Sequence, residues 1–389
     1  MNAAQIAKIR EHFPLLQQKI YLNSCSQGAL SDRVESGFLE YLRSWHEQGS
    51  PWDLWVEQYE AARATFAEFI GAEADEVALV ASASAAVNSL ASALSFGQRS
   101  KVVLGEFEFP TMGHIWLAQQ RRGAEIVFVK ARGNCLTTTD YNALVDQNTV
   151  IVPLTHVCFM NGFRSPTKEI IEIAHQRGAL VLLDDYQDCG SRPVDVKAMD
   201  LDFYVSGTLK YLLGPPGLAF MYVRKSLIES LVPTVTGWFG QANPFAFDVK
   251  RLEPSPTARR FQAGTPPIPS IYGAREGVAL LREIGLSEVA GQIKMLTHAL
   301  LAGTRELGIE TKTPSDTVGP LLVLRARDAG ALVQTLASKE VVVSSRGDGL
   351  RISFHVYNTL HDVEVLLSLL EENLGSLITS KSTIDVIGT

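Results

Sequence analysis

Ala179-Leu180-Val181-Leu182-Leu183-Asp184-Asp185-Tyr186-Gln187, followed after a Gly/Pro break by Asp202-Phe203-Tyr204-Val205-Ser206-Gly207-Thr208-Leu209-Lys210, is the stretch on which the reading of this chain turns. Residues 179–183 are an unbroken apolar run entered from the helix stop Gly178, the pattern of a parallel strand buried on both faces. Asp184 stands where that strand gives out, and in open α/β sheets ligands bind outside the carboxyl ends of the strands. Side chains alternate along a strand, so Asp185 points to the opposite face. Lys210 follows a second short strand, 202–206, and precedes the tight turn Gly214-Pro215-Pro216-Gly217. A lysine that forms a Schiff base and an acid that holds a pyridinium nitrogen are what pyridoxal 5'-phosphate requires of a protein.

Outward from this stretch, short apolar runs alternate with amphipathic ones. Strands are expected at 77–81, 101–106, 124–130, 149–157 and 179–184, with helices at 111–122 and 166–177 between them. That order is the βαβ signature of a parallel sheet covered on both faces. Residues 217–224 form one more strand, close enough to 202–206 to suggest an antiparallel pair. The segment 233–269 is rich in Pro, Gly and aromatics and reads as loop; long loops inside compact proteins are usually functional. Helices follow at 270–284 and 287–307, then a smaller α+β unit with strands near 321–325, 340–344 and 350–354. The tail from about Ser376 is small and polar.

Composition removes several classes of function. The 389 residues are 46% hydrophobic and 20% charged, which suits a globular chain of about two domains. A net charge of −7 and a pI near 5.7 give no electrostatic footprint for nucleic acid. The basic pairs Arg121-Arg122 and Arg259-Arg260 are too short to track a phosphate backbone. No run approaches the roughly 18 apolar residues of a membrane span, and the first residues lack the apolar core of a signal peptide. Cys25, Cys135, Cys158 and Cys189 show neither metal spacing nor a disulfide framework, so no metal is expected and a reducing, cytoplasmic setting is.

Asp184-x-x-Gln187 with Ser206-Gly207-x-x-Lys210-Tyr211-Leu212-Leu213-Gly214-Pro215-Pro216-Gly217 resembles the class V aminotransferase family. These fold-type-I pyridoxal phosphate enzymes include cysteine desulfurases, kynureninase-like lyases and epimerase-like proteins. The similarity runs from Tyr21-Leu22-Asn23 to the segment 351–359. It implies an N-terminal helix at 1–18 associated with the small domain. A large cofactor-binding domain, a mostly parallel sheet flanked by helices, is implied at 19–268, and a smaller α+β domain at 269–389.

The resemblance also assigns roles. Lys210 is the Schiff-base lysine, Asp184 the partner of the ring nitrogen, and Gln187 a donor to the ring's phenolate oxygen. Phe109, in Phe107-Glu108-Phe109-Pro110, matches the aromatic over the ring face, with core packing the competing reading on pattern alone. Ala83 and Ser84 open a helix straight after a strand, where backbone N–H groups approach a phosphate. Ser206 and Thr208 are further phosphate contacts. Gly264 and Thr265, in Phe261-Gln262-Ala263-Gly264-Thr265-Pro266, match a loop that reaches a neighbouring subunit's phosphate and thus imply a homodimer with shared sites. Arg351 resembles the arginine that binds the substrate's α-carboxylate, and Asn23 and Gln27 lie in the substrate-side loop. Trp52, Trp55 and Trp238 are candidate pocket walls, with core packing the alternative. His156 is equally readable as structural or functional.

Departures from the family pattern bear on the reaction. Leu209 precedes the lysine where many relatives carry His. Phe159 stands where a desulfurase-like member often has Asn, with Asn161 displaced by two positions, which hints at an apolar substrate pocket. No cysteine occurs after Cys189, so a persulfide relay of the desulfurase kind is disfavoured. The leading expectation is an aminotransferase-like enzyme for a small amino acid. A C–S lyase or epimerase is the alternative, and a non-catalytic sensor on the same fold is a remote one. The substrate, the amino acceptor and the bond that breaks are not legible in the sequence.

Overall fold

The computed structural model describes residues 1–380. Its strands are β1 (Ile20–Tyr21), β2 (Val77–Val80), β3 (Lys101–Gly105), β4 (Glu125–Val129), β5 (Thr149–Thr155) and β6 (Leu180–Asp184), then β7 (Phe203–Gly207), β8 (Ala219–Val223), β9 (Leu321–Arg325), β10 (Val341–Val342), β11 (Ser344–Arg346) and β12 (Gly349–Ser353). The large sheet has seven strands in the order β2-β8-β7-β6-β5-β3-β4. Only β8 runs against its neighbours, because the connection 208–218 is too short for the crossover that a parallel return needs.

Alternation along these strands feeds two cores. Leu79, Val103, Val152, Val181, Leu183 and Tyr204 face one side, where they meet the helices Trp52–Phe69, Thr167–Gln176 and Ile268–Ile284. Their neighbours Val80, Val102, Leu104, Ile151, Leu182 and Val205 face the other, against Ala83–Ala93 and Pro110–Ala118. A strand buried on both faces has no polar position to spare, which is why 179–183 is apolar throughout. The expected helix at 111–122 is divided: its α-helical part ends at Ala118, and a 3₁₀ turn completes Gln119–Arg122.

The antiparallel sheet β11-β12-β9 carries a separate core with the helices Leu286–Glu306, Ala329–Ala337 and Leu360–Glu372. The single strand expected at 340–344 is two, since β10 pairs with β1 while β11 pairs with β12. The N-terminal segment is laced to this unit. Its amino group meets Glu288 at 3.1 Å, and Arg10 Nη1 donates to the Tyr357 carbonyl at 2.7 Å. Asn23 bridges Ser353. Residues 24–28 are thereby carried over the carboxyl edge of the large sheet, and the Gly28 N–H donates to the Leu209 carbonyl at 2.8 Å. The segment 233–269 contains only short 3₁₀ turns before the helix beginning at Ile268. No helix among the described residues is long and apolar enough to cross a membrane.

Candidate active site

A cavity of about 300 Å³ opens at the carboxyl edge of β5 and β6. Asp184 forms part of its floor as the last residue of β6, in register with Thr155 of β5 and Val205 of β7. Its Oδ1 accepts the Tyr186 N–H at 3.0 Å, and no cation lies within ion-pair distance among the described residues. Burial pushes its carboxyl up to about 6, opposed by that N–H and by the charge of Lys210. Asp185 points the opposite way, accepting from Tyr204 at 2.7 Å and sharing a 2.5 Å bond with His156 Nδ1.

Lys210 sits in the loop after β7. Thr208 Oγ1 donates to the carbonyls of Pro215 and Leu218, pinning the loop back on itself. Leu213, just beyond the lysine, has φ of 58°, a left-handed conformation that costs a non-glycine residue about 1–3 kcal/mol. The half-buried amine has no carboxylate in contact. Nζ lies 4.5 Å from the centroid of the Tyr186 ring and 6.0 Å from that of Phe109. Burial lowers its pKa to about 8, with Asp184 opposing and Arg351 and Arg346 assisting. A lysine in that range is substantially neutral just above neutral pH and therefore nucleophilic.

Around this pair the sequence-derived residues fall into two groups. Ala83, Ser84, Phe109, Gln187 and Arg351 line the cavity with Asp184 and Lys210. Ser82 caps the helix Ala83–Ala93 by accepting the Ala85 N–H at 3.1 Å, which leaves the N–H groups of Ala83 and Ser84 free for an anion. Phe109 is 46% exposed and meets Phe159 edge-on at 5.0 Å, so it is a cavity wall and not core. Gln187 donates from Nε2 to the Cys25 carbonyl at 3.2 Å, while its Oε1 is buried without a partner. Arg351 is 1% exposed, and among the described residues its guanidinium reaches only Cys25 Sγ at 2.8 Å and Ser26 Oγ at 3.1 Å, with Nε unpartnered. A buried guanidinium without a carboxylate is costly unless a ligand supplies one.

The second group lies elsewhere. Ser206 and Thr208 do not line the cavity; their hydroxyls are spent on Gly207 and on the Pro215 and Leu218 carbonyls. Asn23 and Gln27 flank the lining and do not join it: the turn of the segment presents Cys25 and Ser26 in their place. Gly264 and Thr265 are exposed on the surface, outside the cavity of this chain. Asn161 turns to the Asn134 carbonyl and the Phe163 N–H, so it does not replace the missing asparagine; Phe159 itself forms the wall. Trp52, Trp55 and Trp238 pack on one another and on Phe239, away from the cavity.

Several lining or supporting residues escaped the sequence reading. Tyr186 and Arg346 line the cavity, and Glu108 lies just behind it, where its Oε1 accepts the Thr155 N–H at 2.8 Å. Glu108 Oε2 is buried and unpartnered, and burial with the charge of Asp184 pushes this carboxyl up to about 8. Its position beside Phe109, three residues past the end of β3, was the available signal. His156 belongs to a buried network and not to the cavity: Asp188 accepts from Arg164 at 3.1 Å and from Arg192 at 2.6 Å, and Arg192 also contacts His156.

Comparison with known proteins identifies the setting. Residues 38–366 match the Aminotransferase class-V family, to which the chain therefore belongs. An uncharacterized aminotransferase, YcbU, of Bacillus subtilis (strain 168) is 34% identical over 91% of this chain and 94% of its own length. An apo cysteine desulfurase from Thermococcus onnurineus NA1 superposes with a TM-score of 0.85 at 22% identity, covering 94% of this chain and 97% of that one. C-DES, solved as a variant with glycine covalently linked to its pyridoxal phosphate cofactor, superposes with a TM-score of 0.85 at 21% identity, covering 93% and 98%. The fold is thus fold type I, and the chain is a pyridoxal phosphate-dependent enzyme of transferase or lyase type. The cavity suits that cofactor: it offers unspent helix N–H groups, a buried carboxylate with no cation in contact, and an amine with a lowered pKa.

Proposed function

We propose that this enzyme acts at the α-carbon of a small amino acid, with Lys210 as the covalent anchor of the cofactor and with transamination as the outcome. The observation that carries the reading is convergence: one amine, one buried carboxylate and one unpaired buried guanidinium share a cavity of about 300 Å³. When bound, pyridoxal phosphate would supply an electron sink for the bonds of the substrate's α-carbon. Asp184 would face the ring nitrogen and keep it protonated, Phe109 would cover the ring, and Gln187 would meet its phenolate oxygen. Ala83 and Ser84 would hold the phosphate at the helix N-terminus. Arg351 would fork onto the α-carboxylate, a geometry that guanidinium matches in two hydrogen bonds. Lys210 Nζ would be the base that takes the α-proton and the acid that returns it.

The exposed loop with Gly264 and Thr265, together with exposed Phe247, Val249 and Leu252, supports a homodimer in which that loop serves the neighbouring site. The second reading is elimination from a sulfur-bearing amino acid, and the soft lining by Cys25 and Met112 favours it. A thiol relay from the C-terminal half has no support, since β11 and β12 are joined by the tight turn 347–348 and no cysteine follows Cys189. The test is borohydride reduction of purified protein followed by peptide mapping, then an amino-acid screen that resolves oxo acid from sulfide. Cofactor fixed on Lys210 and an oxo acid formed only with an amino acceptor support the proposal. Cofactor on another lysine, or on none, overturns it, and sulfide formed without an amino acceptor gives the site to elimination.

A further inference from the structure

β11 and β12 form a hairpin in which Ser344 lies opposite Arg351 and Arg346 opposite Gly349. Side chains alternate along each strand, so Ser344, Arg346, Gly349 and Arg351 share one face. Arg346 and Arg351 are diagonal neighbours on it. Both guanidinium groups line the cavity. Like charges set side by side on a sheet face destabilise each other unless something neutralises them. Among the described residues no carboxylate lies within ion-pair distance of either arginine. Among the described residues Arg346 is held only by a hydrogen bond from its Nη1 to the Ser345 carbonyl at 2.7 Å. Asp184 is the one acid in the lining, and it belongs to the ring end of the site.

We propose that Arg346 is a second anion-binding group of this site and that the substrate is an amino acid with an acidic side chain. This rests on the reading that Arg351 takes the α-carboxylate of a substrate held at Lys210. One guanidinium is then left over for a second carboxylate, and the excess positive charge acts as far as Lys210, whose pKa both arginines lower. The remaining walls, Phe109, Phe159, Val157 and Val87, are apolar and suit a short methylene chain between the two acidic groups. The cofactor's phosphate is the competing anion for Arg346. The free N–H groups of Ala83 and Ser84 make a separate place for it.

The test titrates the visible spectrum of the holoenzyme with L-aspartate, L-glutamate, L-asparagine and L-glutamine, in wild type and Arg346→Gln. The affinity of each protein for pyridoxal phosphate is measured in parallel. Wild type is expected to bind each diacid about tenfold more tightly than its amide, a modest factor because Arg346 is solvent-exposed. In Arg346→Gln that ratio falls to about one while cofactor affinity is retained. Equal binding of diacid and amide by wild type overturns the proposal. So does a loss of cofactor affinity in the variant, which would give Arg346 to the phosphate. If no amino acid perturbs the spectrum, the reading of the site at Lys210 and Arg351 falls as well.

Discussion

Glu108 gives the sharpest quantitative handle on this site. Its carboxyl is 8% exposed, accepts one N–H from Thr155 and leaves Oε2 buried with no partner. Burial and the neighbouring charge of Asp184 raise it from 4.5 to about 8. A carboxyl whose pKa is higher in the folded than in the unfolded chain lends stability that is fully present below the unfolded value. That stability is lost as pH rises through the folded value. Between pH 4.5 and about 8 the cofactor-free protein should therefore lose about 1.4 kcal/mol per pH unit from this group alone, roughly 5 kcal/mol in all. That is a large share of the roughly 5–15 kcal/mol that holds a domain together. Glu108→Gln keeps the acceptor for Thr155 and removes the titration. Urea unfolding of the cofactor-free wild type and variant across pH 5 to 9 reads the difference directly. The two should agree near pH 5 and diverge steadily, with the variant the more stable by pH 8. Parallel pH profiles would refute the account, and so would a variant that is destabilised equally at every pH.

Asp184→Asn should lower kcat by about 10²–10³ by removing the charge aimed at the ring. It should leave the cofactor-free protein at pH 7 at least as stable, because ionised Asp184 is penalised there by burial; steady-state kinetics and thermal melts check the two halves. Asp185→Asn should do the reverse, costing about 3–5 kcal/mol in denaturant unfolding, since it strips the buried anion from His156 and Tyr204. Gly207→Ala would drive a methyl group into the Tyr186 ring and should cost about 1–3 kcal/mol, with a shifted visible absorption because that ring packs against Lys210 Nζ. Arg351→Ala should raise KM at least about 30-fold with a smaller effect on kcat, the mark of lost substrate binding, read from initial rates.

The large sheet was legible because its strands obey local rules. An apolar run that must be buried on both faces, as in 179–183, leaves no other reading, and the short return at 208–218 forces β8 antiparallel. The groups that face the cavity from a strand end and a helix start, Asp184, Ala83 and Ser84, were legible for the same reason: an element boundary fixes where its first or last side chain goes. Lys210 lies in the loop after β7 and was legible from the motif that contains it. Loops obey no such rule. In 23–27 the direction of each side chain depends on the bridge from Asn23 to Ser353 and the bond from the Cys25 N–H to Ser353 Oγ. These contacts span more than 300 residues of chain, and they put Cys25 and Ser26 where Asn23 and Gln27 were expected. Ser206 and Thr208 failed for a related cause. The Thr208 hydroxyl closes the loop that aims Lys210, a need visible only once the turn at 214–217 has folded back, and the Ser206 hydroxyl donates to the adjoining Gly207 carbonyl. Arg346 was invisible because the division of 340–344 into two strands sets its register.

The adjacent carboxylates Asp184 and Asp185 show how one strand end separates chemistry from support. Asp185 is met by Tyr204 and His156, and the nearby Asp188 by Ser191, Arg164 and Arg192. His156, Asp185 and Asp188 are close enough to hold a metal ion, yet the guanidinium groups of Arg164 and Arg192 already bring positive charge to that place. Apart from Arg164 Nε, its buried donors have acceptors, so the network resists movement and braces the loops that follow β5 and β6. The cavity side is the opposite: among the described residues Asp184 has no cation in contact, Lys210 and Arg351 have no carboxylate in contact, Gln187 Oε1 has no donor, and two helix N–H groups have no acceptor. Each deficit costs folding energy, and each is met by a complementary group on a bound partner. Under the proposed function, a protonated ring nitrogen, an electrophilic carbon, a phosphate and an amino acid's carboxylate are the complements that would meet these deficits. The braced network behind Asp185 is what keeps them unfilled and in place until that partner arrives.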